Sequence, residues 1–275
     1  MLSGLLWSLF SARPRNNLVM ITIKTSEEIE ILRAGGRRHA EILNELAKRA
    51  IAGVSTNELN TWAIGLLDEG GDYPAFLGYT PDGAKRSYPA ALCVSINDEI
   101  VHGIPNENPR ILKEGDVVSL DLGLSHKGMI TDSAMTLGVG KISPEEKRLI
   151  KATREALGAG ILAARAGNSV GDIGFAIENV AKKYGLKSAE GLSGHGVGYE
   201  VHEDPYVPNA GMPGSGPKLK AGMVLAIEPM FVLGKGDIVL SKDGYTYHTK
   251  DGQKAAHFEH TIAITNGAPI ILTAL

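Results

Sequence analysis

The chain has 275 residues, 43% of them hydrophobic and 21% charged, which is the composition of a globular protein large enough for one or two domains. The formal net charge of −3 gives no electrostatic signature of nucleic acid or of an anionic membrane, and no apolar run approaches the roughly 20 residues of a membrane span. The single cysteine, Cys93, excludes internal disulfides and cysteine-rich zinc modules, so a bound metal would need histidine and carboxylate ligands.

The first 19 residues differ in character from the rest. An apolar stretch there precedes Arg13 and Arg15, which is the wrong order for a secretory signal, although the lack of acidic residues leaves a short organellar presequence as an alternative. Regularly patterned sequence begins at Met20. We therefore expect residues 1–19 to be a loose extension, or the start to be assigned too early, and residues 20–275 to form a single domain.

Two pairs of helices are predicted, one at the start of each half of the chain (about 25–140 and 141–275). The first helix of each pair is amphipathic and opens with the spacing of a capping box. The boxes are Thr25 with Glu28, and Ser143 with Glu146. The second helices are predicted near 56–70 and 170–184, each closed by glycine. Strand-like segments follow each pair, so we predict an α+β fold of two pseudo-symmetric halves with antiparallel strands.

The strands that follow the helices also repeat. Residues 113–121 (KEGDVVSLD) and 220–228 (KAGMVLAIE) share K-x-G-x-V, an alternating strand pattern and a carboxylate at the same final position. A second carboxylate follows on another strand-like run, Asp132 in the first half and Glu259 in the second. The second half has about 20 extra residues before Glu259, which we predict to form a hairpin excursion.

Asp121 and Asp132 lie on either side of a predicted tight turn at His126, Lys127 and Gly128. We expect the two aspartates to face each other almost directly across the hairpin, with Cβ atoms about 5 Å apart. Like charges at that spacing are destabilising unless a proton or a cation lies between them. An exposed turn with two independent acids is the alternative.

Further residues favour a cation site. Glu228 sits in an apolar run, where an unpaired charge is costly to bury, and Glu259 heads an apolar strand. His195 lies in a glycine-rich turn, GHGVG, and His202 follows seven residues later. The two carboxylate pairs and the glycine-framed His195 together form a five-ligand set for two metal ions.

Five motifs occur in one order along the chain: VHGIP (101–105), LDLG with TDS, GHGVG with VHEDP, IEP, and FEHT. Together they resemble the type I methionine aminopeptidases, which have the pita-bread fold, over residues 20–272. The resemblance implies that the five-ligand set holds two divalent metal ions. The implied roles are bridging ligands for Asp132 and Glu259, a ligand of one ion for Asp121, and ligands of the other for His195 and Glu228.

The resemblance also implies a chemistry. Two divalent ions would activate a shared water and polarise the scissile carbonyl, and ligands of these types accept Fe(II), Mn, Co or Zn. Glu228 would accept a proton and pass it to the leaving amine. His202 would contact the substrate carbonyl or the oxyanion, and His102, in VHGIP, would assist the tetrahedral intermediate. A loop-capping hydrogen bond is the alternative role for His102.

The methionine side chain would occupy an apolar pocket of aromatic and sulfur-containing residues, which suits a polarizable thioether. The candidates are Phe76, Tyr79, Tyr88, Val201 and Tyr245. The sequence departs from the family pattern here, because segment 80–87 (TPDGAKRS) is longer than in the bacterial enzymes. Val201 also replaces a larger aromatic residue, and Tyr245 replaces a tryptophan. Ordinary core packing is the alternative for these residues.

The implied partners are nascent polypeptides that begin with Met followed by a small residue. We expect a cytoplasmic monomer in transient contact with the ribosome, and no specific nucleic acid or membrane partner. A proline-directed aminopeptidase of the same fold would carry a sizeable extra N-terminal domain, and a non-catalytic binding protein on this scaffold would be expected to have lost ligands. The 25 residues between His202 and Glu228 leave no room for the insertion of type II enzymes.

Overall fold

Helix pairs open both halves of the computed structural model, which describes residues 21–81 and 83–275. The helices are α1 (Ser26–Arg49), α2 (Thr56–Glu69), α3 (Pro144–Ala163) and α4 (Val170–Tyr184). Both predicted capping boxes form. The Thr25 side chain accepts a hydrogen bond from the Glu28 backbone N–H while the Glu28 carboxylate accepts one from the Thr25 N–H, and the second box repeats this geometry. The predicted extension, residues 1–19, lies outside the described residues.

Short antiparallel strands form the inner layers of the protein. Those of the described residues are β1 (Tyr73–Pro74), β2 (Leu92–Ile96), β3 (Glu99–Val101), β4 (Val117–His126), β5 (Met129–Gly138), β6 (Lys187–Ser188), β7 (Ser193–Gly196), β8 (Glu203–Pro208), β9 (Val224–Ile227), β10 (Met230–Val232), β11 (Ile238–Leu240), β12 (Tyr247–Thr249), β13 (Ala255–His257), β14 (His260–Ala263) and β15 (Ile270–Ile271). The largest sheet has the order β15-β14-β9-β7-β8, and β4 lies between β2 and β5 in the sheet of the first half.

The β4–β5 hairpin has a different register from the predicted one. Its two-residue turn has φ of +49° at Lys127 and +81° at Gly128, as a type I′ turn requires. Asp132 therefore pairs with Gly123, two residues beyond Asp121. The prediction that the aspartates lie almost directly opposite each other was wrong, because the turn is centred between two residues and not on Lys127. They are diagonal neighbours on one face of the hairpin.

In the second half, β9 and β14 pair so that His260 lies opposite Ile227. Glu228 and Glu259, the residues next to this pair, are therefore neighbours at the same end of the sheet. The extra segment forms the predicted hairpin, β11–β12, and β12 pairs with β3 of the first half. The insertion thus joins the two halves along one sheet.

Each helix pair covers the strands of its own half. One apolar cluster joins α1 and α2 to β2 and β4, and a second joins α3 and α4 to β9, β10 and β14. Met135 on β5 packs against both clusters. Each fully buried leucine or phenylalanine stabilises the fold by about 1.5–3 kcal/mol, so the helices hold the strands firmly from outside. Over the described part of the chain, none of the helices has the length and apolar character needed to span a bilayer.

Candidate metal centre

Asp121 on β4 and Asp132 on β5 line one buried cavity. The backbone of Asp132 is fixed by Thr261 of the other half, whose hydroxyl accepts from the Asp132 N–H at 2.8 Å and donates to the Asp132 carbonyl at 2.7 Å. Oδ1 of each aspartate is buried with no hydrogen-bond partner among the described residues. Leaving such an oxygen unpaired is costly, so these atoms call for a proton or a cation.

Glu228 and Glu259 line the same cavity and are held through their backbones. The Glu259 N–H donates to the Ala134 carbonyl at 2.9 Å, and the Ser133 hydroxyl donates to the Glu259 carbonyl at 2.8 Å. The Glu228 carbonyl accepts from Nδ2 of Asn209 at 2.9 Å. Oε1 of Glu259 has no hydrogen-bond partner within residues 21–81 and 83–275. Two carboxylates from each half therefore meet in one cavity, and all four are buried.

His195 on β7 adds a nitrogen donor to the carboxylates. Its Nδ1 donates to the Gly196 carbonyl at 2.8 Å, which leaves Nε2 with a lone pair 3.3 Å from Oε1 of Glu228. A Cβ added at Gly194 would lie 2.3 Å from the Ala226 carbonyl oxygen. Glycine there allows β7 to approach β9 closely enough to bring His195 beside Glu228.

Burial raises the pKa of Asp121 to about 6 and that of Glu228 to about 7, and the Glu228 charge adds to the shift at Asp121. Burial and the neighbouring carboxylates raise the pKa values of Asp132 and Glu259 well above the ordinary range. Such a cluster holds protons near neutral pH unless cations replace them. Ligand atoms of Asp132, His195 and Glu259 lie within 4.8 Å of one another. Carboxylate oxygens and an imidazole nitrogen at this spacing fit divalent metal ions.

His202 and His102, the predicted substrate contacts, flank the carboxylates. The His202 ring centroid is 4.4 Å from that of His195, and its Nδ1 is 2.8 Å from the Tyr79 hydroxyl. Burial, and then the like charge of His195, hold the pKa of His202 well below its usual value. His102 has φ of +60°, in the left-handed region that non-glycine residues seldom adopt. Burial lowers the pKa of His102 to about 4.

All the predicted site residues line this one cavity, which measures about 50 Å³. They are Asp121, Asp132, His195, Glu228, Glu259, His102, His202, Tyr79, Tyr88 and Tyr245, joined by Phe76 and Val201. The Tyr88 ring meets the ring of Phe76 edge-on at 6.5 Å and that of Tyr245 at 5.2 Å. The rings of Phe76, Tyr88 and Tyr245 line the same cavity as the carboxylates, and we call them the aromatic wall. A larger surface groove of about 540 Å³ over α3 and β5 contains none of these residues.

The segment 80–87, which the sequence identified as longer than usual, is anchored next to this wall. The Arg86 guanidinium pairs with the Glu107 carboxylate and donates to the Asp243 carbonyl at 3.1 Å. The Arg86 carbonyl in turn accepts a hydrogen bond from the Tyr245 hydroxyl. Segment 80–87 therefore positions one side of the aromatic wall, and Pro81 lines the cavity directly.

Two residues of the centre were missed in the sequence prediction. Cys93 pairs with Asp121 in the β2–β4 register and lines the cavity, where burial raises the pKa of its thiol well above the usual value. His257 is buried, with Nε2 3.4 Å from Oε2 of Glu228 and 3.7 Å from Oε2 of Glu259. A signal for His257 was present, because residues two apart on a strand share a face and His257 is two residues before Glu259.

Comparisons with known proteins identify the family of this chain. The profile of metallopeptidase family M24 matches residues 30–266. The methionine aminopeptidase of Aquifex aeolicus is 48% identical over 257 residues, 93% of this chain and 99% of the relative. Methionine aminopeptidase 1 of Bacillus subtilis is 42% identical over 92% of this chain and 99% of its own. The crystal structure of a methionine aminopeptidase from Thermotoga maritima superimposes with a TM-score of 0.88 at 40% identity, covering 93% of this chain and all of that one.

The chain therefore belongs to metallopeptidase family M24. A prolidase from Pyrococcus horikoshii shares the fold at a TM-score of 0.71, but at 22% identity, with 64% of that chain covered, the likeness extends to the fold alone. Within the family the high-identity relatives are methionine aminopeptidases, which confirms the predicted family, the pita-bread fold and the enzyme class of metallo-exopeptidase.

Proposed function

We propose that this chain removes the N-terminal methionine from nascent proteins and peptides whose second residue is small, with two divalent metal ions, and that residues 20–275 act as one catalytic domain. The observation that carries the proposal is the meeting of four buried carboxylates and His195 in a cavity with an aromatic wall. Three carboxylate oxygens there have no hydrogen-bond partner among the described residues. The identity of 48% to the Aquifex methionine aminopeptidase supports the substrate class.

The proposed ligand roles follow the two halves of the fold. Asp132 and Glu259, one from each half, would bridge the ions, and hydrogen bonds of the Ser133 and Thr261 hydroxyls connect their backbones. Asp121 would complete one ion's site, and His195 with Glu228 would complete the other's. The donor set accepts Fe(II), Mn, Co or Zn, so cellular supply decides which metal is bound.

The bound ions would lower the pKa of a shared water and polarise the scissile carbonyl. Glu228 is proposed to take the proton from that water and deliver it to the leaving amine. In the metal-free protein, burial raises the pKa of Glu228 to about 7, and bound cations would lower it, which leaves the carboxylate ionised and able to accept a proton. The buried site excludes bulk water from the exchange.

His202 is proposed to donate a hydrogen bond from Nε2 to the substrate's carbonyl oxygen as negative charge develops there. Its low pKa keeps the imidazole neutral, so one ring nitrogen carries the proton and the other accepts. A Tyr79 hydroxyl that donates to Nδ1, at 2.8 Å, keeps that proton on Nε2. His102, held at φ +60° beside the carboxylates, assists the same tetrahedral centre.

The aromatic wall is proposed to receive the methionine side chain. Tyr88 and Tyr245 are buried and pack edge-to-face, and Phe76 completes the wall on the other side of Tyr88. A thioether makes favourable contacts with aromatic ring edges. A shorter side chain would leave the rings without contacts, and a charged one would have to be buried without a partner. Val201 gives the pocket an aliphatic boundary.

The proposed substrates, emerging nascent chains, assign the reaction to the cytoplasm, with a transient contact at the ribosome. We propose a monomer, because all the ligands and the aromatic wall come from one chain.

The test is hydrolysis by metal-stripped protein that is repleted in turn with Fe(II), Mn, Co and Zn. Met-Gly-Met-Met is the substrate, Leu-Gly-Met-Met tests the side-chain pocket, and Gly-Pro peptides test the proline-directed alternative. Release of Met only after metal is restored, with little Leu and no proline-directed cleavage, supports the proposal. Cleavage of the proline peptides would assign the chain to the proline-directed group, and no turnover by folded, metal-loaded protein would favour a binding role.

Glu228→Gln supplies the matched variant for this test. We expect kcat to fall about 10²–10⁴-fold, because the amide cannot accept the proton. Glu69→Gln, at an exposed position on α2, is the control and should retain wild-type kcat. Equal kcat values for the two variants would exclude Glu228 from proton transfer.

A further inference from the structure

His257 lies at the carboxylate cluster, but the proposed reaction gives it no role. It ends β13, where Met230 of β10 lies opposite it, and its backbone is held by the Thr136 hydroxyl at 2.8 Å and 2.7 Å. Its exposed fraction is 1%. Neither ring nitrogen has a hydrogen-bond partner in the part of the chain that the structure describes. A buried imidazole with both nitrogens unpaired is costly, so its position requires an explanation.

The distances around His257 do not fit hydrogen bonding. Nε2 is 3.4 Å from Oε2 of Glu228 and 3.7 Å from Oε2 of Glu259, beyond the usual N–H···O range of about 2.7–3.2 Å. A nitrogen and an oxygen bound to one ion at about 2.0–2.2 Å, with a near-tetrahedral angle between them, lie roughly 3.4 Å apart. The spacing is thus that of two ligands on a shared ion.

Glu228 lies between two such nitrogens. Nε2 of His195 is 3.3 Å from its Oε1, and Nε2 of His257 is 3.4 Å from its Oε2. Ligand atoms of Glu228, His257 and Glu259 also lie within 4.8 Å of one another. The two imidazoles therefore approach the carboxylate from its two oxygens at nearly equal spacing.

We infer that His257 is a sixth protein ligand of the metal centre, which binds through Nε2 to the ion held by His195 and Glu228. The inference rests on the proposed metal-dependent function.

The charge balance of the cluster favours an imidazole at this position. Four carboxylates neutralise two divalent ions, so an additional anionic ligand would leave a net charge buried, whereas a neutral imidazole adds a donor without one.

X-ray absorption of the protein loaded with two equivalents of Co(II) tests the inference directly, because imidazole rings give a distinct multiple-scattering pattern. With His195 and His257 both bound, the wild-type protein should show about one imidazole per ion, and His257→Gln about half of that. Titration calorimetry should show Co(II) bound to His257→Gln at least about tenfold more weakly.

His260→Gln is the matched control, because His260 also flanks Glu259 but its Nδ1 contacts the Thr273 hydroxyl at 2.9 Å. It should keep the wild-type imidazole count. A wild-type count of about half an imidazole per ion would overturn the inference, and that measurement needs no variant to fold. A weaker affinity in His257→Gln with an unchanged imidazole count would overturn it too, since His257 would then act only on other ligands.

The two proposals fail in distinguishable ways. If His257 is not a ligand, the imidazole count falls short while metal-dependent release of Met from Met-Gly-Met-Met persists. If the proposed function is wrong, the loaded wild-type protein shows about one imidazole per ion but releases no Met.

Discussion

Thr261 holds the backbone of Asp132 on both sides, accepting from its N–H at 2.8 Å and donating to its carbonyl at 2.7 Å. Thr136 does the same for His257, at 2.8 Å and 2.7 Å. Thr136 lies four residues after Asp132, and Thr261 lies four residues after His257, so the contacts are reciprocal between the two halves of the chain. These four hydrogen bonds join β5 to the β13–β14 segment, and we call this connection the joint. The candidate metal centre lies beside it.

Thr261→Val tests this joint. Valine has nearly the same shape but leaves the Asp132 N–H and carbonyl without their partner, so we expect the free energy of unfolding to fall by about 1–3 kcal/mol for each group left unpaired. Urea denaturation of metal-free protein measures it. Thr61→Val, which removes an exposed hydroxyl on α2, is the control and should change stability by less than about 0.5 kcal/mol. Similar losses in both variants would contradict the joint.

The stability of the metal-free protein should fall as pH rises from about 7 to 8.5. Burial raises the pKa of Glu228 to about 7, and burial with the neighbouring carboxylates raises the pKa values of Asp132 and Glu259 well above their usual range. The folded state therefore binds more protons than the unfolded state in this window. Stability then decreases with increasing pH. Below about 6.5 the sign is mixed, because buried histidines with lowered pKa values, such as His39 and His102, gain stability as pH rises.

Thermal unfolding with and without Mn(II) measures this effect. Bound cations replace the protons on the carboxylates, so the Tm of the loaded protein should be nearly constant over the same window and the stabilisation by metal should grow with pH. A metal-free protein whose Tm is constant or rises above pH 7 would show that the carboxylates are not protonated together in the folded state.

Tyr88→Ala should raise KM for Met-Gly-Met-Met about three- to tenfold and leave the metal content unchanged. The substitution removes the central ring of the aromatic wall, which contacts Phe76 and Tyr245 but is not a ligand. Tyr88→Phe is the control. It keeps the ring but loses the hydrogen bond to the Gly103 carbonyl at 3.0 Å and the hydroxyl contact with Cys93, and the Gly103 carbonyl keeps its bond from Val94. An unchanged KM in Tyr88→Ala would remove Tyr88 from the pocket.

Tyr79→Phe should lower kcat about five- to tenfold with little change in KM. The lost hydrogen bond, at 2.8 Å to Nδ1 of His202, frees the imidazole to take the other tautomer, which cannot donate from Nε2. Tyr73→Phe removes the hydroxyl of an exposed tyrosine and should have no effect. A rise in KM with kcat unchanged would instead assign Tyr79 to binding of the methionine side chain.

The helices could be predicted from sequence because their ends depend on local chemistry. The side chain of Thr25 or Ser143 bonds a backbone group three residues away, and Gly185 ends α4 with φ of +63°. The hairpin β11–β12 was also predictable, since the duplicated sequence showed where the second half has additional residues.

The register of β4–β5 could not be fixed as easily. The motif around Lys127 allows the turn to centre on a residue or between two, and a shift of one position moves the pairing of Asp132 along β4. Both registers bring the aspartates to one region, so the cluster was predicted although its geometry was not.

His257 was missed for a different reason. Its contact with Glu228 depends on the pairing of β10 with β13, which places Met230 opposite His257. No local pattern encodes that pairing. The alternation that puts His257 and Glu259 on one face was visible, but β13 ends at His257 and β14 begins only at His260.

The reciprocal threonine contacts also determine at which point of translation the carboxylate cluster can be completed. Asp121 and Asp132 are translated long before Glu259, which lines the same cavity, and long before Thr261, which holds the Asp132 backbone. The Thr261 N–H in turn donates to the hydroxyl of Thr273 at 3.1 Å. A chain that ends before Thr261 therefore carries Asp121 and Asp132 without the hydroxyl that holds the Asp132 backbone, and a chain that ends before Thr273 lacks the partner of the Thr261 N–H.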